Sequence, residues 1–216
     1  MWAISTDGRV YPCPVLRTQP DNADAAAVIG TASIEKQDMH RAADLFRRMV
    51  ERFPNNPRGW LGRGLVNLYK QDPKSGIRDL QQASKLMPTN AGTLVALGWA
   101  YIADHDFRLA ETTFRKAVEV DHNFAEAQGG LASALVFQGR VDESKELIKI
   151  ATRLNPANFG GAFARSLGLK LRGQDKRATK IVASLLEHEP APGAKPLIEH
   201  LRIFMGKQDI RSDDRI

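Results

Sequence analysis

The chain has 216 residues, 31 Lys plus Arg against 25 Asp plus Glu for a formal net charge of +6, 43% hydrophobic residues and one cysteine. Charged and apolar fractions near globular averages exclude disorder throughout. A lone cysteine excludes a disulfide framework or a cysteine metal cage and makes a reducing compartment the default, and no apolar run reaches the roughly 20 residues of a membrane span.

Residues 1–22 open the chain with Trp2, Val10, Tyr11, Val15 and Leu16, too apolar for a free tail. Asp7-Gly8 is a turn signal between short apolar stretches, and Pro12, Pro14 and Pro20 favour an extended course. The segment is expected to dock on the body, either over the first repeat or along a groove. Cys13 has no base near it in sequence and reads as inert. The first fifteen residues lack a basic start followed by an apolar stretch, so no secretory signal is read and a cytoplasmic location is expected.

From residue 23 a lattice of 34 residues takes over, marked by Pro54, Pro88, Pro156 and Pro190 with His122 at the remaining node. It divides the chain into five units, 23–56, 57–90, 91–124, 125–158 and 159–192. The eighth place of each is small (Gly30, Gly64, Gly98, Ala132, Ser166), the twentieth is small (Ala42, Gly76, Ala110, Ser144, Ala178), and the twenty-fourth is bulky (Phe46, Leu80, Phe114, Ile148, Val182). Columns of this kind let one helix seat its large side chains on a neighbour's small ones. Each unit reads as two helices, interrupted at Gln37-Asp38, Gln71-Asp72, His105-Asp106, Gly139-Arg140 and Gly173-Gln174. Beyond the lattice, 193–206 reads as one more helix that caps the last unit, and 207–216 as a flexible tail.

The pattern resembles the tetratricopeptide repeat. Unit three carries Leu94, Leu97, Gly98, Tyr101, Ala110, Phe114 and Ala117 in the family's places. Unit two carries Trp60, Gly64, Leu80, Ala83 and Pro88 but has Arg63 and Asn67 where Leu and an aromatic are expected. The resemblance implies an all-α, right-handed superhelical solenoid of antiparallel helix pairs, in one continuous array, with a concave groove lined by the first helices.

On that implication the groove residues are Arg58, Leu61, Leu65 and Tyr69 in unit two, Val95, Trp99 and Ile102 in unit three, Gly129, Gly130, Ser133 and Phe137 in unit four, and Phe163, Leu167 and Lys170 in unit five. Water-facing places would normally be polar, so a run of apolar ones points to a binding surface. Some, Ile102 especially, can equally pack on a neighbouring unit. Gly129-Gly130 and Gly160-Gly161 can admit either a ligand backbone or a neighbouring helix. The Lys, Asn and Arg places with which some relatives clamp acidic chaperone tails hold mostly apolar residues here.

The charge excess concentrates at +4 in unit two and +4 over 159–216, with −2 in unit three. Such patches attract acidic proteins or nucleic acid, but no aromatic-plus-basic stacking pattern accompanies them, so nucleic acid is not the expected partner. The five histidines occur singly without metal-ligand spacing. Gly59, Gly62 and Gly64 have no preceding strand to make a phosphate loop. No catalytic residue, metal or cofactor is therefore expected. The expected function is a scaffold, adaptor or chaperone that binds a peptide or helix of a partner protein, with bacterial secretion or assembly systems as the context the family resemblance implies. The alternative is a self-assembling homo-oligomer whose groove is filled by another copy or by its own first segment.

Overall fold

A computed structural model describes residues 2–4, 10–12, 23–36 and 38–187 of the chain. Its first elements are two short antiparallel strands, β1 (Trp2–Ile4) and β2 (Val10–Pro12), paired with Ala3 opposite Tyr11. The turn expected at Asp7-Gly8, the docking of 1–22, the helix over 193–206 and the tail over 207–216 lie outside the described residues.

Ten helices follow among the described residues: α1 (Ala23–Glu35), α2 (Met39–Arg52), α3 (Pro57–Tyr69), α4 (Pro73–Leu86), α5 (Ala91–Ala103), α6 (Phe107–Val120), α7 (Ala125–Phe137), α8 (Val141–Leu154), α9 (Phe159–Leu171) and α10 (Asp175–Glu187). Every odd-numbered helix starts at the first place of a 34-residue unit, and its partner starts sixteen residues later. The fold class is thus all-α helix pairs, as the sequence predicts, with the small hairpin added. By their contacts the helices group into two compact units, Met1–Pro88 with α1 to α4 and Thr89–Ile216 with α5 to α10. Repeats bury their apolar faces on nearest neighbours, and periodicity is blind to such a grouping.

The helix ends follow from local chemistry. Asn56, Asn90 and Asn158 cap α3, α5 and α9 by accepting from Arg58 N at 2.9 Å, Thr93 N at 2.8 Å and Gly161 N at 2.6 Å. Asp38, Asp72 and Asp106 cap α2, α4 and α6 in the same way. The turn inside each of the second to fifth repeats closes with a left-handed residue at one fixed place: Gln71 (φ 60°), His105 (φ 62°), Gly139 (φ 78°) and Gly173 (φ 70°). The next N–H then bonds back five residues, as Arg140 N does to Leu135 O at 2.9 Å and Asp106 N to Tyr101 O at 2.9 Å.

In the first four repeats the core is built from a bulky side chain of the second helix entering a socket on the first helices, whereas Val182 at the same place of α10 keeps 36% of its area exposed. Phe46 of α2, 1% exposed, fills the space over Gly30 of α1, where an added Cβ would lie 2.5 Å from the ring, and over Gly62 of α3. Phe114 of α6, fully buried, fills the same space over Gly98 of α5, with 2.6 Å to a would-be Cβ, and over Gly130 of α7. Leu80 sits likewise on Gly64. Burying each ring stabilises by about 2–3 kcal/mol, which offsets the helix-propensity cost of about 1 kcal/mol per glycine.

The fixed left-handed place generates a pair of opposite outcomes. Gly139 has open space around it, so Gly139→Ala is expected to cost about 1 kcal/mol through backbone strain alone, while Gln71→Gly at the equivalent, exposed place is expected to gain up to about 1 kcal/mol. Urea denaturation of the two variants measures both, and two changes of the same sign would contradict the assignment.

Candidate functional site

The second unit gathers an aromatic surface from residues distant in sequence. The Trp99 ring of α5 meets two rings of α9 edge-on, Phe159 at 5.5 Å and Phe163 at 6.1 Å between centroids, and those two stack at 5.6 Å with planes 11° apart. Phe163 continues to Phe137, the last residue of α7, at 6.0 Å. Phe137 stacks flat on Phe107, the first residue of α6, at 4.7 Å and 1°. His105 closes the row with its ring edge-on to Phe107 at 6.0 Å. Trp99 also leans on the core ring of Phe114 at 5.6 Å, so the surface is anchored to the socket beneath it. Each such pair contributes about 0.5–1.5 kcal/mol beyond burial. The row is not core: Trp99, Phe107, Phe137 and Phe163 are half-buried, and Phe159 keeps 38% of its area exposed.

Two devices hold these rings in place. The first brings α9 against α7. Gly129 meets the backbone of Gly160 and Gly161 so closely that no Cβ fits on either side. The Ser133 hydroxyl lies 3.0 Å from the carbonyl oxygens of both Gly129 and Gly160. Glu126 of α7 then accepts the first N–H groups of α9, Phe159 N at 2.8 Å and Gly160 N at 3.1 Å, a carboxylate at the positive end of a helix. The second device secures the Phe107–Phe137 stack. Gln138, next to Phe137, donates to the Phe107 carbonyl at 3.2 Å and to Glu111 at 2.9 Å. Glu111 also receives Arg115 at 2.7 Å and Arg140 at 2.8 Å. Burial pushes the Glu111 carboxyl up, but the hydrogen bonds from Arg115, Gln138 and Arg140 outweigh it and hold the group below the usual glutamate range.

Of the sequence-derived groove residues, Trp99, Phe137 and Phe163 converge on this surface. Ile102 and Leu167 are half-buried in the same unit, and Lys170 is exposed. Four others need correction. Val95 is 8% exposed, Ser133 is fully buried, and Gly129 and Gly130 are buried under α9 and the Phe114 ring. Their small or apolar character serves close helix packing and leaves no room for a ligand backbone. The remaining four lie in the first unit: Leu61 and Tyr69 are half-buried, Leu65 is 38% exposed, and Arg58 pairs with Asp24 at 2.9 Å. Phe107 and Phe159 are members that sequence reasoning missed. Each stands at the first place of its helix, a column outside the faces that the helical period assigns to the groove.

Comparison with known proteins bears on the fold. The tetratricopeptide repeat model matches residues 14–57 and 95–159, just over half of the chain. The chain belongs to the tetratricopeptide repeat family. Among curated proteins it is similar to protein bimA of Emericella nidulans, 20% identical over 156 residues that make up 72% of this chain and 19% of that protein. The chain therefore spans about a fifth of that relative's length. Among solved structures it is similar to a thermophilic tetratricopeptide-repeat protein of Thermus thermophilus, with a TM-score of 0.67, 17% identity, and coverage of 84% of this chain and 96% of that one. It is also similar to YrrB, described as a repeat protein with an unusual peptide-binding site, with a TM-score of 0.57, 16% identity, and coverage of 81% and 89%. At these identities the structures share the fold.

The part of the repeat array between the two matched stretches holds unit two, where the family pattern gives way to Arg63 and Asn67. Both departures have one cause: they converge on Asp79 of α4, Arg63 with two bonds at 2.8 and 2.6 Å and Asn67 with one at 3.0 Å. A charged residue in the second helix, 5% exposed, is matched by polar partners in the first. Gly59, Gly62 and Gly64 are buried in the middle of α3, where they are helix contacts and no phosphate loop. Among the described residues no helix is long and apolar enough to cross a membrane, and no three metal-ligating side chains cluster.

The Glu111 clasp has a pH signature. Its folded-state pKa lies below the ordinary 4.5, so its contribution is present above that value and is lost as pH falls through the folded pKa. Glu111→Gln is expected to lower Tm at neutral pH, with the difference from wild type shrinking below pH 4.5. Thermal melts across that range check it; a difference that stays constant into acid would contradict it.

Proposed function

We propose that the chain is a protein-interaction scaffold, adaptor or chaperone that holds a peptide or helix of a partner on the aromatic surface of its second unit. The observation that carries this reading is the row of five partly exposed rings from Trp99 to Phe107, fixed by backbone contact and hydrogen bonds. Aromatic side chains that are rigid before binding lose little entropy on contact and dominate interface energetics. A row of rings spread over several helices suits an amphipathic helix or an extended segment with apolar anchors several residues apart. The likeness to YrrB supports a peptide as the class of ligand. A bacterial secretion or assembly system is the context we favour, on family resemblance. No catalytic role is assigned.

Pull-down from the native cell with wild type and with Trp99→Ala identifies the partner, and titration of its binding segment then measures the site. Trp99→Ala and Phe159→Ala are each expected to weaken binding about tenfold or more, with both variants checked for native helicity. Unchanged affinity in both would refute the aromatic site. A mass that rises with concentration by light scattering, and falls to monomer in Trp99→Ala, would transfer the same surface to self-association.

A further inference from the structure

A second feature lies wholly in the first unit and has no part in the aromatic surface. A cleft of about 560 Å³ opens between α2, α3 and α4. Its wall is drawn largely from the second 34-residue repeat, 57–90, which carries the +4 excess of Arg58, Arg63, Lys70, Lys74, Arg78 and Lys85 over Asp72 and Asp79. Two carboxylates line it, and both are saturated from within. Asp79 is held by Arg63 and Asn67, while Asp44 is held by Arg47 at 2.6 Å and Arg48 at 2.7 Å. Arg47, which also lines the cleft, is spent on Asp44 and on Glu51 at 3.0 Å, but the other cations are not matched in the same way. Among the described residues Lys70 and Arg78 form no ion pair, and Arg78 donates to the Ser75 hydroxyl at 2.8 Å. Arg63 spends only its Nε and Nη2 on Asp79, which leaves Nη1 as a donor.

Arg63 is also the best oriented of these groups. Its guanidinium lies 4.7 Å over the Trp60 ring, and the Trp60 indole N–H is tied to the Pro54 carbonyl at 2.6 Å. A planar cation fixed on one edge by a carboxylate and on one face by a ring needs no ordering when an anion arrives. The cleft therefore presents preset donors with its own acids already satisfied.

We propose that this cleft is a second binding site, which takes the carboxylate side chains of an acidic peptide segment. Carboxylate is the chemistry that the arrangement favours. A cleft of this volume takes a few residues. Its one ring is the imidazole of His40, so a single-stranded nucleic acid would find no run of platforms for successive bases.

The probe is a fluorescein-labelled oligoglutamate peptide, followed by fluorescence anisotropy with the full chain at low salt. Wild type is expected to bind. Lys70→Glu with Arg78→Glu, both exposed positions, is expected to weaken binding about tenfold or more, because two donors become repulsive. Lys74→Glu with Lys85→Glu removes the same charge from the same repeat outside the cleft and is expected to stay within about twofold of wild type. Trp99→Ala is expected to leave this binding unchanged, which separates the cleft from the aromatic surface. Lys70→Gln serves as the milder variant, with a smaller loss in the same direction. Absence of binding by wild type, equal losses in the two charge-reversed pairs, or tighter binding of a single-stranded oligonucleotide than of oligoglutamate would each overturn the proposal.

Discussion

A phenyl ring seated between two glycines on adjacent helices is the contact from which the rest of each unit follows. Phe46 between Gly30 and Gly62, and Phe114 between Gly98 and Gly130, lock a second helix to the first helix of its own repeat and to that of the next. The fourth repeat shows the same design at another size. Its bulky residue is Ile148, which packs against the buried cluster formed by Ala132 and Val136 of its own repeat and Ala164 of the following one. A smaller knob goes with a shallower socket, so the sum of volumes is kept while the side chains change. Interiors packed to crystal density tolerate this exchange and resist a change on one side only.

The aromatic surface is a consequence of that packing. Phe114 fills its socket and also meets the Trp99 ring, with centroids 5.6 Å apart and planes at 76°. With no side chain at Gly129, Gly160 or Gly161, α9 comes to backbone distance from α7, and this approach carries Phe159 and Phe163 to Trp99. Glu126 fixes the register of the approach by capping α9 from the preceding repeat. The residues that make the surface and those that position it are therefore separable: the rings can be changed with little effect on the sockets, whereas the glycines cannot.

Much of this was legible in the sequence because one 34-residue period repeats the same physical problem. The small eighth place and bulky twenty-fourth place were readable as a contact, and the contact is there in Gly30 with Phe46 and Gly98 with Phe114. The turn place was readable from Gly139 and Gly173, although Gln71 and His105 adopt the left-handed conformation without glycine's help. What escaped was whatever depends on how two repeats meet. Periodicity assigns Gly129, Gly130 and Ser133 to a face but says nothing of whether a helix already covers it. Phe107 and Phe159 stand at helix starts, where a period has least power. Arg63 and Asn67 looked like lapses from the family pattern until Asp79, in the other helix of the same repeat, supplied their partner. The division after Pro88 leaves no mark in the columns at all.

The most direct test is the stability of three variants built on the third and fourth repeats: Gly98→Ala with Gly130→Ala, Phe114→Ile alone, and all three changes together. Matched knob and socket predict that the paired alanines cost about 1–3 kcal/mol by overpacking and that Phe114→Ile costs a similar amount through the void it leaves. The triple variant, which reproduces the Ile148 arrangement, is then expected to recover most of both losses in urea denaturation, a coupling well outside additivity. Losses that simply add would contradict the socket as the contact on which the repeats depend.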